Sequence, residues 1–126
     1  MRLLGLALGG LLGTFSRYFL TEFVRVKAGT GFPWGTMAVN GLGCFAAGIL
    51  AGLFLKGRDP ASPDWSLFFI TGFCGAFTTF SALVLETSAM AEGGRLIASF
   101  LNVVLSLSAG FAAFAAGRGM SGILPK

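Results

Sequence analysis

The chain has no histidine and few charges, and both shortages narrow its possible functions. Charged residues make up 11% of its 126 residues, with nine basic and five acidic side chains. Histidine is the commonest metal ligand and the usual general base near neutral pH, so its absence removes the simplest catalytic designs. No base–nucleophile pair or nucleotide-binding motif is evident in the sequence either. The sequence therefore predicts a protein that is not an enzyme.

Cysteine is scarce as well. Cys44 and Cys74 both lie inside apolar stretches, at a spacing that matches no metal-ligand motif or disulfide framework. We interpret them as small hydrophobic side chains. The net charge of +4 comes from basic residues at the ends of apolar runs, where lipid headgroups are the expected contact. The charge pattern thus argues against nucleic-acid binding.

Long apolar runs are what the chain has in abundance. Hydrophobic residues make up 55% of the sequence, and four apolar runs cover about 3–24, 35–55, 65–90 and 96–116, each long enough to cross a bilayer. An unusually apolar soluble protein is the alternative, but so short a chain could not bury that much apolar surface. The sequence predicts an all-α membrane protein with four transmembrane helices in a single domain over residues 1–126. The first run is predicted to be retained rather than cleaved as a signal peptide.

The third run contains an unusual stretch, Gly72–Ser81, with the sequence GFCGAFTTFS. Glycine and adjacent threonines weaken the interior of a helix, so the third helix is predicted to be broken mid-membrane. Non-helical backbone at membrane depth survives only where protein buries it or where it lines a wet cavity. The stretch therefore indicates free carbonyls or amides that hold an ion, together with hydroxyls and rings that face a pathway.

Polar side chains in the other spans each have two interpretations. Asn40 either bonds to another helix or uses its amide hydrogens to contact a permeating anion. Arg17 either reaches the lipid interface or adds positive potential to an anion vestibule. In the fourth run, a row of small and polar residues shares one helical face and forms either helix contacts or a wet track. The row comprises Ser99, Asn102, Ser106 and Gly110.

The basic residues indicate a weak orientation preference. Four spans put both termini on one side of the membrane, where Arg2, Lys56, Arg58, Arg118 and Lys126 would lie. Arg25, Lys27 and Arg95 would lie on the other side, with Arg17 near them. So weak a bias permits insertion in both orientations. Because four helices hardly enclose a pathway, we expect a homodimer, whose two-fold axis would then lie in the membrane plane.

The polar side chains favour an anion over a cation. A cation pathway favours carboxylates, and the acidic residues of the spans, Glu22 and Glu86, lie near span ends. Amide and hydroxyl donors are present instead, and the positive edge of the Phe80 ring suits an anion. The donors are Thr36, Asn40, Thr79, Ser81, Asn102 and Ser106. A small proton-coupled multidrug-type exporter, which needs a deep acidic residue, and a purely structural membrane component are the alternatives.

Motifs in three of the spans match a known family of membrane proteins. The first span contributes Gly9, Gly10, Gly13, Arg17 and Tyr18. The second contributes Trp34, Gly35, Thr36, Val39 and Asn40, and the third contributes Gly72–Gly75, Thr78–Ser81 and Glu86. Each motif alone is weak, but together they are specific. With them the chain resembles the Fluc/CrcB fluoride channels over nearly its whole length.

The resemblance implies a passive, fluoride-selective channel in the cell inner membrane that exports cytoplasmic fluoride and gives fluoride resistance. It also implies an antiparallel, dual-topology homodimer with two pores. A structural sodium ion at the dimer interface would bind the backbone carbonyls of Gly75 and Thr78. By the same resemblance, Asn40 and Phe80 correspond to pore residues. Arg17 corresponds to the vestibule arginine, and Ser106 belongs to the polar track of the fourth span.

Two positions depart from the family pattern. Leu83 occupies the place of a second pore phenylalanine and lacks a polarised aromatic edge. Asn102 stands where a fourth-span tyrosine is common. Either Phe80 carries the aromatic role alone, or Asn102 adds a donor that compensates. We expect a change in conduction rate before a loss of selectivity.

Overall fold

The structure is a computed structural model that describes residues 2–54 and 63–122. Within these ranges the chain is helical, apart from short connections. The helices are α1 (Arg2–Ala28), α2 (Trp34–Phe54), α3 (Pro63–Ser66), α4 (Gly75–Phe77), α5 (Phe80–Glu92) and α6 (Leu96–Met120), with a π-helical segment, Leu67–Cys74, between α3 and α4. Three basic residues of the orientation argument, Lys56, Arg58 and Lys126, lie outside the described residues.

Four stretches are long and apolar enough to cross a membrane, which confirms the prediction of an all-α protein with four spans. They are Arg2–Ala28, Trp34–Phe54, Leu67–Glu92 and Leu96–Met120. α1 and α6 continue past the predicted ends at residues 24 and 116. Their last turns contain Arg25, Lys27 and Arg118, and cations at a helix C-terminus are favourable. A charge therefore marks the edge of the apolar run but not the end of the helix.

α1 packs against the π-helical segment through glycine. A Cβ atom at Gly9 would overlap Phe68 O, and one at Gly13 would overlap Phe73 O. The two backbones therefore touch, which is possible because these residues have no side chain. Since the contact moves forward along both segments from Gly9 to Gly13, α1 and the third span run parallel.

α2 and α6 form the most extensive helix contact in the described part of the chain. A Cβ atom at Gly48 would overlap Phe114 O, and one at Gly117 would overlap Phe45 O. Each helix thus presents glycine to the backbone of the other, the small-residue packing that lets membrane helices approach closely.

The third helix is interrupted at Thr78 and Thr79, which we call the break. Thr78 has φ −80° and ψ 156°, and Thr79 has φ −148° and ψ 115°, so both are extended, as β-branched residues readily are. A broken third helix agrees with the prediction, but the break is much narrower than Gly72–Ser81. The preceding residues stay helical, and glycine is tolerated among them because Gly72 packs against the α1 backbone at Gly9.

Most large apolar side chains of the described chain are exposed. In each candidate span, at most 22% of the apolar window is buried within the chain. Polar side chains occupy part of the interior instead, where Thr36, Asn102 and Ser106 are buried. Such a surface suits lipid or another apolar surface rather than water.

Candidate ion site at the helix break

The side chain of Asn40, on α2, pairs with the backbone of the break. Asn40 Nδ2 donates to Thr79 O at 3.0 Å, and Thr79 N donates to Asn40 Oδ1 at 2.7 Å. One amide group therefore satisfies both backbone groups of Thr79, which has left the helical pattern. Unpaired backbone groups are costly in an apolar setting, so this pairing stabilises the interruption.

The two threonine hydroxyls close the helix ends on either side of the break. Thr78 Oγ1 donates to Cys74 O at 2.9 Å, one turn back along the chain. Thr79 Oγ1 accepts from Ala82 N at 3.1 Å and lies 3.2 Å from Ser81 Oγ, so Thr79 caps the N-terminus of α5. The Thr-Thr pair thus explains where one helix ends and the next begins.

Two carbonyl groups lose their usual helical donors at the break. In a continuous helix, Thr79 N–H would donate to Gly75 O, and Ala82 N–H would donate to Thr78 O. Here the first donates to Asn40 Oδ1 and the second to Thr79 Oγ1. Gly75 is also exposed on the protomer surface. The carbonyl oxygens of Gly75 and Thr78 therefore lack the N–H donors that a continuous helix would give them.

The break also places two helix ends of opposite polarity side by side. α4 ends at Phe77 with its carbonyl groups, the negative end of a helix, and α5 begins at Phe80 with its amide groups, the positive end. Broken helices in membrane transporters use these ends for cations and anions respectively. One short interruption can therefore serve ions of both signs.

An open groove of about 460 Å³ lies between α2, the break and α6. Its lining includes four of the predicted pore residues: Asn40, Thr79, Phe80 and Ser106. Phe80 is 72% exposed on the protomer, so its ring is available to a ligand. Three elements distant in sequence thus bring an amide, hydroxyls and an aromatic ring together.

The groove also contains residues that the sequence reasoning missed. They are Cys44, Leu107, Phe111 and Phe114. Thr78, Leu83 and Gly110, which the sequence singled out for other reasons, line the groove as well. The α6 members follow Ser106 at helical spacing, so extending the polar row of that helix past Gly110 would have found Phe114. Leu83 is 5% exposed and also lines the groove.

Two polar residues of α6, Ser99 and Asn102, face α5 rather than this groove. Ser99 Oγ donates to Thr87 O at 2.9 Å, and Asn102 Nδ2 donates to Thr87 Oγ1 at 2.9 Å. Ser106 Oγ lies 3.4 Å from Asn102 Oδ1 as a longer hydrogen bond. The two bonds to Thr87 join α6 to α5, and the bond between Ser106 and Asn102 lies within α6. Together they form a chain of hydrogen bonds from Thr87 through Asn102 to Ser106 in the groove. Thr87 had no distinguishing pattern in the sequence.

Thr36 pairs with Glu86 near a second cavity. Thr36 Oγ1 donates to Glu86 Oε1 at 2.7 Å, whereas Glu86 Oε2 is buried with no partner in the described part of the chain. A cavity of about 240 Å³ adjoins this carboxylate at the α1–α2 connection, and Arg25 and Arg95 contribute to its lining. Arg95 Nη1 donates to Gly31 O at 2.8 Å, which ties the α5–α6 turn to that connection.

Arg17 lies outside both cavities but close to the level of the break. It follows Gly9 and Gly13 at the same four-residue spacing, so it continues the face of α1 that contacts the third span. An added Cβ at Gly13 would lie 3.0 Å from Phe77 N, and Arg17 is one turn further on. Its Nε is buried without a hydrogen-bond partner among residues 2–54 and 63–122. Ser81 is exposed beside Thr79.

Comparisons with known proteins identify the family. The family model described as CrcB-like protein, Camphor Resistance (CrcB), matches residues 4–118. The chain belongs to this family. The resemblance inferred from the motifs of the first three spans is therefore confirmed.

Individual relatives cover almost the whole chain. The fluoride-specific ion channel FluC of Desulforapulum autotrophicum is 46% identical over 112 residues, 89% of each chain. Proteins of the same name from Acidobacterium capsulatum and Rhizobium leguminosarum bv. trifolii are 42% and 41% identical, over 90% and 88% of each chain. The residues matched by the family model, 4–118, include the break and both walls of the groove.

Proposed function

We propose that the chain is a subunit of a passive, fluoride-selective channel, which lets cytoplasmic fluoride leave across the cell inner membrane and so gives fluoride resistance. The observation that carries this proposal is the groove at the break, where an amide, hydroxyls and an aromatic ring converge. The relatives are named as fluoride-specific ion channels. The protein is accordingly a channel rather than an enzyme, and no bond-making step is required.

Three side chains of the groove would contact the anion. Asn40 Nδ2 carries two hydrogens and gives one to Thr79 O, so the other remains for an ion. Phe80 offers the positive edge of its exposed ring. Ser106 supplies a hydroxyl from α6. Donors of this kind replace part of the hydration shell of a small anion while leaving it free to move on.

The other predicted pore residues would act around this groove. Thr79 and Ser81 add hydroxyls at the positive end of α5. Asn102 orients the hydroxyl of Ser106 through its side-chain oxygen. Thr36 orients the carboxylate of Glu86 at the second cavity, and Arg17 contributes positive potential at the level of the break.

We also assign a structural sodium ion to the carbonyl oxygens of Gly75 and Thr78. The residues fit such an ion because both oxygens have lost their helical donors and both lie at the negative end of α4. Backbone oxygens suffice for this role, and no cluster of three acidic, cysteine or histidine side chains occurs among the described residues. The positive charge of the ion would offset the repulsion between these partly negative carbonyl oxygens.

The proposed assembly is an antiparallel, dual-topology homodimer. Gly75 and Phe80 are both exposed on the protomer, although they carry the proposed cation and anion contacts. A second copy in the opposite orientation would cover both residues and bring the two breaks together. The cation would then bind carbonyls from both copies at the interface.

The aromatic part of the pathway would differ from the family pattern. Leu83 is an aliphatic residue of the groove lining, so Phe80 would supply the aromatic edge on the third span. Phe111 and Phe114 of α6 line the same groove and add two further rings. This arrangement is compatible with selective binding at an altered conduction rate.

Ion efflux from liposomes that contain the purified protein tests the proposed function. We expect fast passive fluoride efflux and negligible chloride efflux. Phe80→Leu should lower fluoride efflux about tenfold, because it removes the aromatic edge while keeping an apolar side chain. Phe100→Leu is the matched control, since Phe100 is 67% exposed on α6 and outside the groove.

The same preparation separates the channel from its alternative. A proton-coupled exporter would use a carboxylate such as that of Glu86 to exchange protons for a cationic drug. Drug-dependent proton movement without fluoride efflux would therefore replace the channel proposal with the exporter. Equal effects of Phe80→Leu and Phe100→Leu would remove the groove from the fluoride pathway.

A further inference from the structure

We infer that Asn40 is a positioning residue for the cation site, and that its amide links this site to the anion groove. The inference rests on the proposed sodium ion at Gly75 and Thr78. It goes beyond a pore role for Asn40, because it assigns the side-chain oxygen a separate task from the side-chain nitrogen. One amide group carries an acceptor oxygen and two N–H donors, so its oxygen and its nitrogen can act separately.

The oxygen of Asn40 determines which partner Thr79 N–H has. Oδ1 accepts this N–H at 2.7 Å across a separation of 39 residues. The competing acceptor is Gly75 O, the regular partner in an uninterrupted helix. As long as Oδ1 holds Thr79 N–H, the carbonyl of Gly75 stays free for a cation.

Removing the amide would favour closure of the break. A buried N–H without an acceptor is costly, and water is scarce at membrane depth. The nearest repair is the helical bond from Thr79 N–H to Gly75 O. This bond would occupy one of the two proposed sodium ligands, so loss of Asn40 should weaken sodium binding even though its side chain does not contact the ion.

The nitrogen of Asn40 connects the same group to the groove. One Nδ2 hydrogen is donated to Thr79 O at 3.0 Å, so the second remains for a ligand in the groove that Asn40 lines. The Asn40 amide thus bonds to the backbone of the break and keeps one N–H that can donate to an anion. Binding at either ion site stabilises the same backbone arrangement, so the two should favour one another.

Two substitutions separate the tasks of the oxygen and the nitrogen. Asn40→Asp keeps an acceptor for Thr79 N–H, but it replaces the donor with an oxygen and adds negative charge. Asn40→Leu removes both functions. Asn40→Ala is measured alongside it, because a smaller side chain folds where leucine does not fit. Ser99→Ala is the control, since it removes another bond from a side chain to a distant backbone oxygen.

The readout is sodium-dependent thermal stabilisation of the purified full-length protein, titrated from sodium-free buffer, with fluoride efflux measured in parallel. Asn40→Asp keeps the acceptor for Thr79 N–H but loses the bond to Thr79 O, so it should bind sodium more tightly than Asn40→Leu and Asn40→Ala, yet lose fluoride efflux. Asn40→Leu and Asn40→Ala should raise the half-saturating sodium concentration about tenfold or more. Ser99→Ala should leave that concentration unchanged.

The outcomes distinguish this inference from the proposed function. Unchanged sodium binding in Asn40→Leu or Asn40→Ala overturns the inference but leaves a fluoride-conducting wild type intact as a channel. Sodium binding in Asn40→Asp as weak as in Asn40→Leu and Asn40→Ala also overturns it, because only the aspartate keeps the acceptor. If sodium does not stabilise the wild type, both the cation site and the inference are wrong. If the wild type binds sodium normally but shows no fluoride efflux, only the proposed function is contradicted.

Discussion

The α2–α6 contact and the break stabilise the same bundle in opposite ways. Between α2 and α6, Gly48 and Gly117 lie directly on the backbone of the facing helix, so the contact depends on the absence of atoms. At the break, Asn40 adds an amide that supplies partners for Thr79 N–H and Thr79 O. The first contact should tolerate no added atom, and the second should tolerate no lost donor or acceptor.

The largest effect is expected from Gly117→Ala in the α2–α6 contact. The added Cβ would overlap Phe45 O, which is backbone and cannot rotate away. We expect the unfolding free energy to fall by about 1–3 kcal/mol or more, the usual cost of overpacking. SDS titration of the purified protein in mixed micelles measures this change.

Gly119→Ala provides the matched control on the same helix. A Cβ at Gly119 meets no described atom within 4 Å, so we expect a neutral or slightly stabilising effect from the better helix propensity of alanine. Equal destabilisation by the two substitutions would show that helix propensity, rather than close packing, dominates this contact.

A smaller effect is expected from the polar contact between α5 and α6. Asn102→Leu and Thr87→Val each remove one partner of the 2.9 Å bond from Asn102 Nδ2 to Thr87 Oγ1. A double-mutant cycle should give a coupling of about 0.6 kcal/mol, the average for hydrogen bonds between membrane helices, and at most about 1.7 kcal/mol. The same SDS titration supplies the four free energies. A coupling near zero would mean that this side-chain bond adds nothing to the contact between α5 and α6.

These two regions also differ in how far the sequence predicts them. The lengths of the apolar runs predict four helices, because crossing a bilayer requires a minimum length. The Gly-Thr run predicts a broken third helix, but it does not predict how many residues the break includes. Gly72 stays helical because it packs on Gly9 of a different span. Helix propensity depends on the local sequence only, so it cannot predict a contact between two different spans.

The candidate site shows the same limit. Asn40 stands out as an amide in an apolar run, yet its pairing with Thr79 depends on how α2 docks against the break. The polar face of α6 follows from helical spacing, but its partner Thr87 lies on α5 and has no signal of its own. Sequence therefore predicts which polar groups need partners, and the fold determines which partners they find.

We propose that the break binds a cation through its carbonyl oxygens and that the adjoining groove binds an anion. A high-resolution experimental structure of the assembled protein in sodium fluoride tests it most directly. We expect ion density between the Gly75 and Thr78 carbonyls of two antiparallel copies, and separate density in the groove beside Asn40 and Phe80. A continuous third helix, with Thr79 N–H bonded to Gly75 O and no ion at either place, would contradict it.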